Sequence, residues 1–100
     1  MHVASELLVV EVRCTARRSG LVDEAERAER VLAAIRLHPY GPTIRDDAGT
    51  MAFAPPLRAL DAIHLATALS MQEDLAVLLA YDRDLLAAAR KEGLTVASPA

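Results

Sequence analysis

Three carboxylates stand where a soluble chain would rarely keep them. Glu11 lies between Val10 and Val12 in the most apolar stretch of the N-terminal half. Asp61 sits among Leu60, Ala62, Ile63 and Leu65, and Asp82 directly follows an apolar run that ends at Tyr81. Burying a lone carboxylate is costly unless it is paired or binds a cation. Several acids converging near one strand end would suit Mg2+ or Mn2+, which take oxygen ligands. Other chemistries lack their residues: there is no Gly-rich phosphate loop, no serine nucleophile elbow and no paired-histidine zinc motif. Cys14 is the one cysteine, so neither an internal disulfide nor a multi-cysteine zinc site is available.

Each acid also has a plainer reading. Glu11 could lie on an exposed strip or pair with Arg13 or a later arginine. Asp61 could cap a helix that starts late, with residues 57–60 as loop. Asp82 is well placed to cap a helix beginning at Arg83, and Asp84 is a first-turn acid favoured by the helix dipole. His64, three residues after Asp61, shares a helical face with it, although a packed or surface histidine explains it as well. Arg13, Arg17 and Arg18 suit a helix C-terminus, and Cys14 reads as core.

The elements that must position these residues follow from periodicity and breakers. His2–Ala4 has the character of a strand end, and Ser5 can cap a helix over Glu6–Arg18 that is apolar nearly all round, the mark of a buried helix. Ser19-Gly20 ends it. Asp23 and Glu26 have capping-box spacing for a helix to about Arg36, with Ala25, Ala28, Val31, Leu32 and Ile35 inward. A break over Leu37–Pro42 carries a short strand at its start. A second capping signal at Thr43–Asp46 opens a short helix to about Phe53, stopped by Pro55-Pro56. Leu57–Met71 is helical, with Leu60, Ile63, Ala66 and Leu69 at helical spacing. Leu75–Tyr81 reads as a strand buried on both faces, Arg83–Glu92 as a helix with Gly93 at its left-handed cap, and Leu94–Ala97 as a last strand. Helices alternating with short apolar strands give an α/β fold with a parallel sheet flanked by helices.

Composition narrows the function. The chain has 100 residues, room for one domain; 53% are hydrophobic, but alanine is so frequent that the bulky core rests on leucine and valine. One Phe, two Tyr and no Trp argue against aromatic stacking of single-stranded nucleic acid. The net charge of −3 leaves no basic footprint, so contact with nucleic acid would be local or metal-mediated. No apolar segment approaches the length of a membrane span, which points to a soluble, cytoplasmic protein with no membrane partner.

The segment from Leu57 to Leu69, containing LDAIHLATAL, then Leu79–Leu85 with YDRDL, then Gly93–Pro99, resembles the C-terminal half of PIN-domain proteins. The particular likeness is to VapC toxins of VapBC toxin–antitoxin systems, and Ser5–Arg13 resembles the helix that carries the family's glutamate. The resemblance implies a Mg2+- or Mn2+-dependent endoribonuclease that cuts RNA, is neutralised by a VapB-type antitoxin and forms a homodimer. It places the metal-binding acids at Glu11, Asp61 and Asp82. Glu6 is the alternative to Glu11, but its place beside Ser5 suits a first-turn acid. Family members open with a strand ending in an Asp-Thr-Ser-like motif that supplies a first aspartate. Here residues 1–100 read as a single PIN-like domain that lacks this first, central strand. The expectation therefore divides between a toxin of this type and an impaired remnant that only dimerises or binds antitoxin.

Overall fold

The structure is a computed structural model and describes residues 2–75, 77–80 and 82–98, with the side chain of Leu79 left aside. Its elements are β1 (Val3–Ser5), α1 (Leu7–Ser19), α2 (Val22–Ala33), β2 (Arg36–His38), α3 (Pro42–Thr50), α4 (Ala59–Ser70), β3 (Leu78–Leu79), α5 (Arg83–Lys91) and β4 (Val96–Ala97). The expected α/β character holds, and both strand pairs are parallel. The contacts divide into two compact units, residues 1–40 and 41–100.

In the first unit β1 pairs with β2, Val3 opposite Arg36 and Ser5 opposite His38. A parallel pair needs a crossover, and the α1–α2 hairpin supplies it. Ser5 belongs to the strand, yet its Oγ accepts from the Leu7 amide at 3.3 Å, the first-turn service expected of it. α1 ends where Ser19-Gly20 was expected to end it: Gly20 adopts φ 71°, and its amide donates to the Arg17 carbonyl at 3.1 Å. α1 is not the buried helix its composition suggested. None of its residues is fully buried, Val10 is 60% exposed, and Cys14 is exposed rather than core. A helix in a hairpin shares one face with its neighbour, and apolar residues on its other sides stay at the surface.

α2 also departs from its expected limits. It starts at Val22 with Leu21 in the cap position, so Asp23 and Glu26 form no capping box. It ends at Ala33, because residues 36–38 are drawn into β2. Of its expected inner stripe only Leu32 is buried. The hairpin is tied across by Arg13, whose Nε and Nη2 donate to the two Glu29 carboxylate oxygens, both at 2.9 Å. A groove of about 360 Å3 between the helices is lined by Val12, Ala16, Ala28 and Val31, together with Glu24 and Arg27.

The second unit has the better core. Leu65 and Ala89 are fully enclosed, and Phe53, Ala62, Ala68, Leu85, Ala88 and Leu94 are buried with them. α3 opens with Pro42 in its first turn behind an extended Gly41, not with the capping box expected at Thr43, and closes at Thr50 rather than near Phe53. α4 starts at Ala59 and buries Ala62, Leu65, Ala66, Thr67 and Ala68. Of the apolar positions at helical spacing Ala66 is buried, Ile63 and Leu69 are half-buried and Leu60 is 45% exposed. Spacing defines a stripe, but packing against α3 and α5 decides which stripe turns in. Buried Thr67 is satisfied by donating from Oγ1 to the Ile63 carbonyl at 2.7 Å.

β3 is shorter than the run Leu75–Tyr81 suggested, and Tyr81 lies outside the described residues. Leu78 pairs with Val96 and Leu79 with Ala97. Val77 is 39% exposed, so the described part of this run is not buried on both faces. α5 runs almost as expected, and Gly93, at φ 92°, donates its amide to the Arg90 carbonyl at 3.0 Å.

Two tests follow from this packing. Leu65→Ala removes the most enclosed leucine and should cost about 2–5 kcal/mol of unfolding free energy in urea titration; a loss under about 1 kcal/mol would mean that α4 is not the centre of the core. The hydrogen bond from Arg13 holds the Glu29 carboxyl below its ordinary value of 4.5. A carboxyl lowered on folding stabilises fully above its unfolded value, and that contribution fades as pH falls through the folded one. Both side chains are 54% exposed, so the pair is weak and screened by salt. A double-mutant cycle on Arg13→Ala and Glu29→Ala should show a coupling at neutral pH that shrinks in acid and in high salt. A coupling independent of both would exclude the ion pair as its source.

Candidate functional site

Asp82 has the clearest local geometry. It follows the end of β3 and occupies the N-cap of α5 with φ −72° and ψ 126°. Its Oδ1 accepts from the Leu85 amide at 2.9 Å, satisfying one of the orphan donors of the first turn. The side chain is exposed, and Asp84 adds a second acid to the same turn. The capping role is thus present whatever else the residue does.

Asp61 lies inside α4, not at its cap. The cap position belongs to Arg58, and Asp61 is the third residue beyond it, in the first turn, where the dipole favours an acid. It is half-buried. His64, one turn further on, is half-buried too, and both side chains have interaction partners.

Glu11 stands mid-way along α1, half-buried and likewise engaged. Arg13, the first of the arginines considered for it, is clasped by Glu29. Glu6 occupies the N-cap position of α1, exposed, and its Oε1 accepts from the Tyr40 amide at 2.6 Å. That bond fastens the chain leaving β2 to the start of α1, so Glu6 has a structural duty.

Asp61 and Asp82 belong to the second unit and Glu11 to the first. Among the described residues no three His, Cys, Asp or Glu side chains gather closely enough to hold a metal ion.

The PIN domain model matches residues 2–92, nearly the whole chain. The chain belongs to the PIN-domain family. It is also 36% identical over 90 residues to Ribonuclease VapC47 of Mycobacterium tuberculosis (strain CDC 1551 / Oshkosh), a match covering 90% of this chain and 65% of that protein. The chain thus spans just under two thirds of the length of that curated relative. No solved structure matches it significantly. The resemblance carried by LDAIHLATAL and YDRDL is thereby borne out, and all three candidate acids of this PIN domain fall within the matched span. No described helix is long and apolar enough to cross a membrane.

Capping and ion binding at Asp82 are separable by substitution. Asp82→Asn and Asp82→Ser keep an acceptor for the Leu85 amide and should leave stability within a few tenths of a kcal/mol, whereas Asp82→Ala should cost about 1 kcal/mol. If thermal melting puts all three variants together, the cap is not what holds this residue.

Proposed function

We propose that this PIN domain is an endoribonuclease of the VapC type, dependent on Mg2+ or Mn2+, with Glu11, Asp61 and Asp82 as its metal-binding carboxylates. The observation that carries the reading is the family match over residues 2–92, supported by identity to a protein named as a ribonuclease. RNA is the substrate class, a VapB-type antitoxin the neutralising partner, a homodimer the assembly and the cytoplasm the compartment. A divalent ion in such a site supplies a polarised water and neutralises charge on the phosphate. Glu11, Asp61 and Asp82 would supply oxygen ligands to it.

A second reading stands beside it. The chain would then be a scaffold that dimerises or engages an antitoxin without cutting RNA.

Cleavage of RNA by the purified chain in Mn2+ separates the two, with EDTA and Asp61→Asn as controls. Cleavage that disappears in both controls is the expected result. A sample shown by circular dichroism to be folded that leaves RNA intact in Mn2+ would transfer the weight to the scaffold. Cleavage that survives Asp61→Asn and Glu11→Gln would remove these residues from the site.

A further inference from the structure

The α1–α2 hairpin leaves one of its sides open to solvent. Val12, Ala16 and Ser19 on α1 and Glu24, Ala28 and Val31 on α2 line the groove between the helices. Both sets follow the spacing i, i+4, i+7, which keeps them in a line along one side of each helix. Two such lines side by side form the seam that a helix pair presents to a second pair in a four-helix bundle. Val31 is 50% exposed, and Ala16 and Ala28, near mid-length, are small enough for another helix to approach closely. The charges within the groove cancel, since Arg27 pairs with Glu24 at 3.2 Å.

The charges around the groove say what fits it. α1 carries three arginines against one acid, Glu11, and α2 carries four acids against two arginines. Arg13 meets Glu29 across the hairpin, but among the described residues Arg18 pairs with no acid and Asp23 with no cation. Both border the open side. Arg18 donates to Oγ1 of Thr15, a groove-lining residue, at 3.3 Å, and Asp23 neighbours Arg27 one turn on. The Arg13–Glu29 tie sets the relative heights of the two helices, and five residues further along the hairpin Arg18 is level with Asp23 and Glu24. A partner with the opposite sign on each helix at the same height is this hairpin itself, turned about an axis along its length.

We propose that the open side of the α1–α2 hairpin is a dimer interface, covered by the same side of a second copy in a four-helix bundle. A two-fold axis parallel to the helices lays α1 of each copy over α2 of the other and keeps every residue at its own height. Arg18 of each copy then faces Asp23 and Glu24 of the other, and the contact occurs twice. An axis across the helices would lay α1 on α1 and set arginines against arginines, which like-charge repulsion disfavours. The charge pattern thus selects the symmetry, and the apolar seam supplies the burial. The inference rests on the homodimer of the reading above and gives it a surface; it does not depend on whether RNA is cut.

Sedimentation velocity of the full chain over a wide range of concentration reads the assembly, with circular dichroism to show that each variant keeps its helices. The wild type should pass from monomer to dimer as concentration rises. Arg18→Glu and Asp23→Arg each reverse both symmetric contacts and should raise the dissociation constant about tenfold. Mixed in equal amounts, these two variants should dimerise with each other at close to wild-type strength, since the mixed pair has one exchanged contact and one original. Ala16→Arg puts a long charged side chain into the seam and should stay monomeric. Wild-type chain that is monomeric throughout would overturn the inference together with the homodimer of the reading above. A dimer indifferent to all three substitutions would overturn this interface and leave that homodimer on another surface. Weakened single variants with no recovery on mixing would exclude the two-fold arrangement.

Discussion

Helix α4 has little freedom in where its middle goes. Leu65, Ala66, Thr67 and Ala68 are consecutive and all buried, so this part of the helix is enclosed on most of its circumference. Enclosure of that kind is available only if other elements wrap it, and α3 and α5 with Phe53 and Leu94 do so. Small side chains make the wrapping possible. Ala62, Ala66, Ala68, Ala88 and Ala89 let helix backbones approach closely, while Leu65 and Leu85 fill what remains. Fixing the middle of α4 also fixes its ends. Arg58 and Asp61 emerge at the start of a helix that cannot slide or rotate without opening the core.

The first unit is built under a weaker constraint. A two-helix hairpin and two three-residue strands bury only Ser5 and Leu32 fully among the described residues. Exposed Val10, Val22 and Val31 show that apolar residues there exceed the surface available to cover them. Polar ties therefore do more of the positioning. The Arg13–Glu29 fork spans the two helices, Glu6 holds the Tyr40 amide, and Ser5 holds the Leu7 amide. Interactions of this sort are individually small in water. Glu11 thus rides on an element held mostly by its neighbours' polar contacts, and Asp61 on one held by burial.

Much of the fold was legible in the sequence, and the misses have a common origin. Alternation of helices with short apolar runs gave the α/β class, and Gly20 and Gly93 ended their helices at positive φ as their positions implied. Local signals failed where tertiary pairing competed. Arg36–His38 left the expected helix to pair with Val3–Ser5. Leu60 and Ile63 fit a helical stripe but lost the inward place to Ala62 and Leu65. Cys14 and Val10 looked buried because composition records how apolar a helix is, not how many neighbours it meets. For the site, acid positions on helices were legible, since Asp61 and Asp82 do lie at helix starts. Their spatial relation to Glu11 was not, because nothing local in a sequence encodes the meeting of distant side chains.

Asp82 shows how far position alone can speak. The start of α5 needs an oxygen to accept from the Leu85 amide, and four residue types supply one. Choosing Asp over Ser, Thr or Asn adds a negative charge, which the helix dipole rewards modestly, and Asp84 already contributes such a charge in the same first turn. The acceptor is thus accounted for by the fold, while the charge is only partly so. The carboxylate has a second oxygen that the cap does not require, at the exit of a parallel strand, where ligands of open α/β sheets gather. A residue of this kind can serve fold and ligand together, one oxygen to each. For such residues stability and function must be read from separate substitutions, because removing the side chain removes both.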